Sequence, residues 1–175
     1  MKETIFVNLY GGPGSGKSTT ATGVFSKLKQ LGVDCEYVPE YAKYLVWRKT
    51  FSVMEDQLYI FAKQHHQFFI MNGKVDVVVT DSPLLNSLIY CDHSDQYLMD
   101  LVNERYRRFR NLDIFLTRKK IYNPNGRYQT EDRAKEIDEQ TRNMLIANRV
   151  DFVEFPGVPE TIEMLASEIV SMINK

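Results

Sequence analysis

The sequence predicts a three-layer α/β fold in which helices cover both faces of a five-stranded parallel sheet. Short apolar runs alternate with longer amphipathic stretches along the 175 residues. The composition is 43% hydrophobic and 26% charged, which is typical of globular domains. Because strands that alternate with helices favour parallel pairing and right-handed crossovers, we expect an open sheet within a single domain that covers residues 1–175.

Five short runs are the candidate strands. The first run, TIFVNLY at residues 4–10, is rich in β-branched and aromatic residues and ends at glycines. The third run, VDVVVT at residues 75–80, is almost continuously apolar, as expected of a strand buried on both faces. The remaining predicted strands cover residues 33–38, 112–117 and 150–155.

Helices are predicted between these runs. The first covers Lys17 to Leu31 and is closed by Gly32. The capping-box spacing from Ser52 to Glu55 predicts a second helix that reaches residues 72–73. Further helices are expected at residues 83–90, 96–109, 130–148 and from about 159 to 174. Residues 118–129 contain Asn-Pro-Asn-Gly and are predicted to form a loop.

Charge and hydropathy exclude several classes of protein. The 22 Lys and Arg residues balance 23 Asp and Glu residues, which argues against a protein that coats nucleic acid non-specifically. No run of 18 apolar residues exists, so no membrane span is predicted. Cys35 and Cys91 lie far apart, and the N-terminus lacks the features of a signal peptide, so a cytoplasmic location is expected. Homo-oligomerisation stays open.

The segment GGPGSGKS at residues 11–18 matches the phosphate-binding pattern GxxxxGK(S/T) between a strand and a helix. Glycines let the backbone wrap closely around phosphate oxygens, and the N–H groups at the helix N-terminus attract the anion. We therefore expect ATP and Mg²⁺, with Lys17 reaching the β and γ phosphates and the Ser18 hydroxyl on the metal ion. The predicted nucleotide-binding residues are Gly12, Pro13, Gly14, Ser15, Gly16, Lys17, Ser18 and Thr19.

Two acidic residues follow predicted strands, where open α/β sheets bind their ligands. Asp81 comes directly after VDVVVT and is predicted to hold Mg²⁺ or substrate, although Asp-Ser-Pro is also good capping chemistry. Glu40 follows the second strand and is predicted as the base or a substrate ligand, provided that this strand neighbours the first. Lys17, Glu40 and Asp81 are thus the expected catalytic residues, and either acid can be the base.

Basic residues are concentrated between residues 105 and 133, where nine occur against three acidic residues. The group at 105–110 is interpreted as a solvated helix face. Arg118 and Arg127 are predicted to contact the transferred phosphate from a lid at about residues 118–133, which would also exclude water. Nucleic acid is not favoured as a partner, because Tyr122 and Tyr128 make a thin stacking platform.

Two further groups invite an interpretation. His65 and His66 are adjacent on a predicted helix and therefore point in different directions, so a metal pair is not expected. Tyr44 and Trp47 follow Glu40 and can either stack on a ring of the substrate or serve as partly buried packing.

Several motifs together resemble those of small P-loop kinases, and especially those of the ribosylnicotinamide (nicotinamide riboside) kinase domain and its AAA-like ATPase relatives, which are often phage-encoded. They are GGPGSGKST at 11–19, VPEYAKYL at 38–45, Asp56-Gln57, TDSPL at 80–84 and NPNGRYQTEDRAKEID at 123–138. The resemblance implies a P-loop NTPase fold and transfer of the γ-phosphoryl group of ATP to a hydroxyl of a small nucleoside-like acceptor. It also implies that Glu40 orients or deprotonates that hydroxyl and that Arg127 belongs to the lid.

Other functions remain open from the sequence. A nucleoside or nucleoside monophosphate kinase would use the same machinery. A non-kinase P-loop ATPase or a regulatory nucleotide-binding module is an alternative of another class, although neither an NKxD nor an LSGGQ motif is present. A nucleic-acid-end kinase is disfavoured by the near-neutral charge.

Overall fold

A computed structural model describes residues 3–119 and 130–174. Within these residues the predicted five-stranded sheet is confirmed: every neighbouring pair of strands is parallel, and the strand order is β2-β3-β1-β4-β5. The strands are β1 (Ile5–Tyr10), β2 (Cys35–Val38), β3 (Val77–Thr80), β4 (Arg110–Thr117) and β5 (Phe152–Pro156).

Helices connect the strands and form the two outer layers. They are α1 (Lys17–Gln30), α2 (Tyr41–Trp47), α3 (Phe51–Met54), α4 (Gln57–Met71), α5 (Ser87–Tyr90), α6 (Gln96–Tyr106), α7 (Glu131–Ala147) and α8 (Glu160–Ile173), with a 3₁₀ turn at Leu84–Asn86 before α5. In the described part of the chain, no helix combines the length and the apolar character needed to cross a membrane.

Side chains alternate across β1 because successive residues of a strand point to opposite faces of the sheet. Ile5, Val7 and Leu9 pack with apolar residues of α1 and α8. Phe6 and Tyr10 pack on the opposite face with α4, α6 and α7. Both faces of the central strands are therefore buried, which explains why β1 and β3 are nearly continuous apolar runs.

The sheet order decides the condition on which the role of Glu40 was predicted. That role required β2 to neighbour β1, but β3 lies between them and pairs with both. The registers align Asn8 with Thr80 and Thr80 with Val38, so β2 and β3 end together and β1 continues for two more residues. Glu40 and Asp81 still reach one edge of the sheet, because parallel strands in register bring their carboxyl ends to the same place.

The segment after β2 differs from the prediction. The expected helix from Ser52 is divided: α3 forms a single short turn, and α4 begins after Asp56, whose carboxylate accepts a 2.9 Å hydrogen bond from the N–H of Tyr59. Asp56 is the better N-cap because its side chain reaches an orphan N–H of the first turn. Residues 41–47 form α2, which was not predicted, and only Leu45 of this helix is buried.

Candidate nucleotide-binding site

The loop between β1 and α1 has the backbone that its glycines permit. Gly11, Gly14 and Gly16 have φ angles of 131°, 84° and 104°, which L side chains rarely adopt. Gly16 is the N-cap of α1, and no side chain caps this helix and no acidic residue lies in its first turn. The N–H groups at this helix end are therefore not occupied by a side-chain acceptor, as an anion-binding site requires.

Lys17 bends back over this loop. Its ammonium Nζ donates hydrogen bonds to the carbonyl oxygens of Gly11 and Gly12, the latter at 3.0 Å. Burial lowers the pKa of Lys17, while the charges of Glu40 and Asp81 act in the opposite direction. Lys17 thus lies in the electrostatic field of both predicted acidic residues, and the structure brings these three side chains into one site.

Asp81 is buried at the end of β3. Its Oδ1 accepts a 2.9 Å hydrogen bond from the Tyr37 hydroxyl. Burial and the neighbouring Asp81 raise the pKa of Tyr37, so the phenol stays protonated and acts as a donor. Sequence reasoning missed Tyr37. The feature that could have revealed it is a tyrosine in β2, since β2 pairs with β3 and Asp81 follows β3 directly.

Glu40 is the N-cap of α2, and its residue surface is exposed although protein atoms surround its carboxyl group. Burial raises the pKa of its carboxyl group, and Asp81 adds to this effect. Lys17 and Lys43 act in the opposite direction. Glu40 therefore titrates closer to neutrality than an ordinary glutamate, which is the direction that a general base needs.

Tyr90 lies within electrostatic range of both Glu40 and Arg133. Burial raises the pKa of Tyr90, with a further contribution from Glu40 and an opposing one from Arg133. The C-terminal end of α5 thus lies near both Glu40 and the first turn of α7.

Gln64 joins the two loops that carry the acidic residues. Its amide nitrogen donates to the carbonyl oxygens of Ser82, at 3.1 Å, and Pro39, at 3.3 Å. Its amide oxygen accepts from the N–H of Tyr41 at 3.2 Å. This buried glutamine was missed by sequence reasoning, and its signal was a polar residue on the otherwise apolar inner face of α4.

Arg118 follows β4 and is held by α7. Its Nε and Nη2 donate to Oδ2 of Asp138 at 3.1 and 2.8 Å. Its Nη1 is buried and has no hydrogen-bond partner within the described residues. The role of Arg118 as a phosphate contact stays a prediction, and Arg127 and most of the expected lid lie outside the described residues.

Tyr44 and Trp47 are exposed, at 54% and 73% of their surface, so neither is core packing. Tyr44 and Tyr41 lie with their ring centroids 6.4 Å apart, and the hydroxyls of Tyr41 and Tyr59 are 3.0 Å apart. The guanidinium of Arg48 lies 5.5 Å from the ring centroid of Tyr44. The helix that begins after Glu40 therefore presents an aromatic surface, in which Tyr44 and Trp47 are exposed and Tyr41 is partly buried.

The donor set suits a nucleotide with a hard cation. Among residues 3–119 and 130–174 no cluster of three or more His, Cys, Asp or Glu residues could hold a metal ion alone. Mg²⁺ is usually bound by one or two protein oxygens together with phosphates, and Ser18 and Asp81 supply such oxygens. The Ser15 hydroxyl, like Arg118 Nη1, is buried without a protein partner in the described part of the chain, and phosphate oxygens can satisfy such groups.

One known protein family matches most of the chain. The profile of the AAA domain family matches residues 6–163. The chain belongs to this family. A search of curated proteins found no match to this AAA-domain chain.

Solved structures share the fold of this AAA-domain chain. One is the Mycobacterium tuberculosis APS kinase CysC in complex with AMPPNP and APS, with 13% identity, coverage of 100% of both chains and a TM-score of 0.52. Another is the Cys556Ala mutant of the same enzyme, with 16% identity, coverage of 100% of both chains and a TM-score of 0.50. At these identities the likeness shows the P-loop kinase-like α/β fold, in agreement with the sheet described above.

Proposed function

We propose that this protein is an ATP- and Mg²⁺-dependent kinase that transfers the γ-phosphoryl group of ATP to a hydroxyl of a small nucleoside-like acceptor. The observation that carries the proposal is the placement of Lys17, at the N-terminus of α1, in the electrostatic field of Glu40 and Asp81. A phosphate-binding loop and acidic residues in one cleft provide a place for a donor and a base for an acceptor.

The donor side of the site is the glycine loop. Its left-handed glycines and the start of α1 suit the phosphates, and Lys17 would exchange its contacts with Gly11 and Gly12 for phosphate oxygens. Mg²⁺ held by Ser18 and Asp81 would neutralise negative charge on the phosphates. We assign Arg118 to the transferred phosphate because its Nη1 is buried without a partner in the described residues.

The acceptor side begins at Glu40. Its raised pKa and its open position suit a carboxylate that takes the proton of an attacking hydroxyl. Asp81 is buried and accepts a hydrogen bond from Tyr37, which favours a positioning or metal-binding role for it. We therefore assign the base to Glu40 and the metal contact to Asp81.

An aromatic surface next to Glu40 supports a ring-containing acceptor. Tyr44 and Trp47 are exposed on α2, and Tyr59 lies beside Tyr41. Stacking on such side chains recognises flat rings with little dependence on their hydrogen-bonding pattern. A ribosylnicotinamide-like acceptor fits this chemistry, and so does an ordinary nucleoside. The proposal treats residues 1–175 as one kinase domain with a lid at about 118–133.

The test is phosphotransfer from labelled ATP to a panel of nucleosides, nucleoside monophosphates and nicotinamide riboside, with Lys17→Ala as the inactive reference. We expect transfer to at least one nucleoside and loss of at least 100-fold of the rate in Lys17→Ala. Transfer to monophosphates alone would support the monophosphate kinase instead. Hydrolysis of ATP that no acceptor accelerates would contradict the kinase and favour a P-loop ATPase.

A control for the reference variant is Lys27→Ala. Lys27 is also on α1, but its ammonium lies 2.9 Å from Glu163 at the surface. Because an exposed ion pair contributes about 0–1 kcal/mol to stability, this variant should keep its activity.

A further inference from the structure

We propose that Asp138, on α7, is a positioning residue that couples the phosphate loop to Arg118. The inference rests on the proposed phosphotransfer function. Each oxygen of the Asp138 carboxylate serves one partner: Oδ1 accepts from the backbone N–H of Gly12, and Oδ2 accepts from Nε and Nη2 of Arg118, the latter at 2.8 Å.

The ion pair is well shielded from solvent. The side chains of Arg118 and Asp138 are only 12% and 19% exposed. Nε and Nη2 of Arg118 donate to the same oxygen of Asp138, and hydrogen bonds between charged groups are about twice as strong as those between neutral groups. The ion pair therefore joins the end of β4 to α7. The same carboxylate also joins α7 to the N–H of Gly12.

Gly12 provides an independent observation that α7 is pressed against the loop. A Cβ at this position would lie 2.5 Å from the carbonyl oxygen of Ala134 and 2.8 Å from Oδ1 of Asp138. The pattern GxxxxGK(S/T) accepts any residue at position 12. The glycine found there is thus explained by the approach of α7, since any side chain would force the helix away from the loop.

The link continues to Lys17. The carbonyl oxygen of Gly12 accepts a 3.0 Å hydrogen bond from Nζ of Lys17, while its N–H is held by Asp138. Burial lowers the pKa of Lys17, and among the smaller influences on this pKa Asp138 acts upward and Arg118 downward, so both members of the pair lie within electrostatic range of the ammonium group. One carboxylate therefore connects the two cations that we assign to the phosphates of ATP.

Asp138 also leaves one donor of Arg118 without a protein partner. Nε and Nη2 are directed to the carboxylate, whereas Nη1 is buried and has no hydrogen-bond partner within the described residues. Such a donor is costly to bury, so we expect a phosphate oxygen to satisfy it. By holding two sides of the guanidinium, Asp138 would present the third to the substrate.

The experiment compares Asp138→Asn, Arg118→Ala and the double variant, with Glu139→Gln as the matched control. Glu139 is the next residue of α7 and is exposed, so its neutralisation should not change activity. We expect Asp138→Asn to lower kcat by about 10-fold to 100-fold, because hydrogen bonds to charged groups are lost, and to lower the affinity for Mg-ATP by a smaller factor of at least about threefold. The near-equal shape of asparagine keeps the fold.

The double variant decides whether Asp138 acts through Arg118. If it does, the double variant should be no slower than Arg118→Ala alone. Additive losses, or a lower melting temperature with unchanged kcat in Asp138→Asn, would overturn the proposal.

The two proposals fail in different ways. Absence of phosphotransfer by the wild-type protein would contradict the kinase function. In that case the coupling is measured as the affinity for Mg-ATP by calorimetry. Non-additive losses in the same variants support the coupling, and additive losses or unchanged affinity contradict it.

Discussion

Gly157 lies directly against Ser15: a Cβ at residue 157 would come within 2.1 Å of the carbonyl oxygen of Ser15. The N–H of Gly157 donates a 2.9 Å hydrogen bond to the carbonyl oxygen of Thr117, which holds the start of the β5–α8 connection at the end of β4. Two segments thus support the phosphate loop: the β5–α8 connection through Gly157, and α7 through Asp138.

Replacing Gly157 by alanine should disturb the phosphate loop. The contact is with backbone, which cannot move aside without changing the loop, and such overpacking costs about 1–3 kcal/mol. We expect a lower melting temperature together with at least a tenfold weaker affinity for Mg-ATP, measured by thermal unfolding and calorimetry.

Gly32→Ala is the control for this variant. Gly32 has a φ of 77° after α1, but a Cβ there meets no atom within 4 Å. The left-handed backbone costs an alanine about 1 kcal/mol, so stability should fall while nucleotide affinity stays. Equal losses of affinity in Gly32→Ala and Gly157→Ala would show that the close contact with Ser15 is irrelevant.

Glu40→Gln should separate catalysis from binding. Glutamine keeps the shape of the side chain but cannot take a proton, so we expect kcat to fall by about 10²–10⁴-fold with nearly unchanged affinity for ATP. The base must be deprotonated, and the pKa of Glu40 is raised, so the wild-type rate should fall as the pH drops through a value above that of an ordinary glutamate.

The pH profile of kcat provides the measurement. This acid limb should disappear from the residual activity of Glu40→Gln. Retention of full kcat in Glu40→Gln, with loss in Asp81→Asn, would move the role of base to Asp81.

Tyr44→Leu should weaken the binding of the acceptor without changing the binding of ATP. The ring of Tyr44 is exposed beside Glu40, and base–aromatic stacking is worth about 1–3 kcal/mol. We expect the KM for the acceptor to rise about tenfold while the KM for ATP stays constant. Tyr97→Leu, on α6 and 90% exposed, is the control. A rise in the KM for ATP alone would place the aromatic surface at the donor.

Asp113 should make the stability of the protein depend on pH. It is buried in β4, where it accepts hydrogen bonds from Asn8, at 3.0 Å, and from the Tyr106 hydroxyl. Burial raises the pKa of Asp113 to about 6, while its hydrogen bonds act in the opposite direction. The folded state then holds a proton that the unfolded state has already released.

The sign of the effect follows from this difference. The free energy of unfolding should decrease by about 3 kcal/mol as the pH rises from about 4 to about 6. Above about pH 6 Asp113 should cause no further change. Urea unfolding at a series of pH values measures it, and Asp113→Asn should remove this dependence. The exposed Asp100→Asn serves as the control. A slope that is identical in wild type and Asp113→Asn would assign the pH dependence to other groups.

The parts of the fold that were predicted correctly depend on residues that are close to one another in the sequence. The alternation of strands and helices is confirmed, and the helix predicted at residues 130–148 begins after Thr130, whose hydroxyl accepts from the N–H of Arg133. The helix at Ser52 was wrong because two capping patterns overlap there, and only Asp56 forms the bond. The neighbour of β2 was left open by the sequence, because strand order depends on how the crossovers pass over the sheet, and no local pattern encodes it.

The sequence by itself determined the glycine loop and the acidic residues at the strand ends, because the conformational freedom of glycine and the end of an apolar run are local properties. Tertiary structure alone decided what supports them. Asp138 meets Gly12 across 126 residues, and Gln64 joins the loops of Pro39 and Ser82. Such contacts depend on how helices pack against the sheet, which is the sum of many burial energies rather than the preference of any one segment.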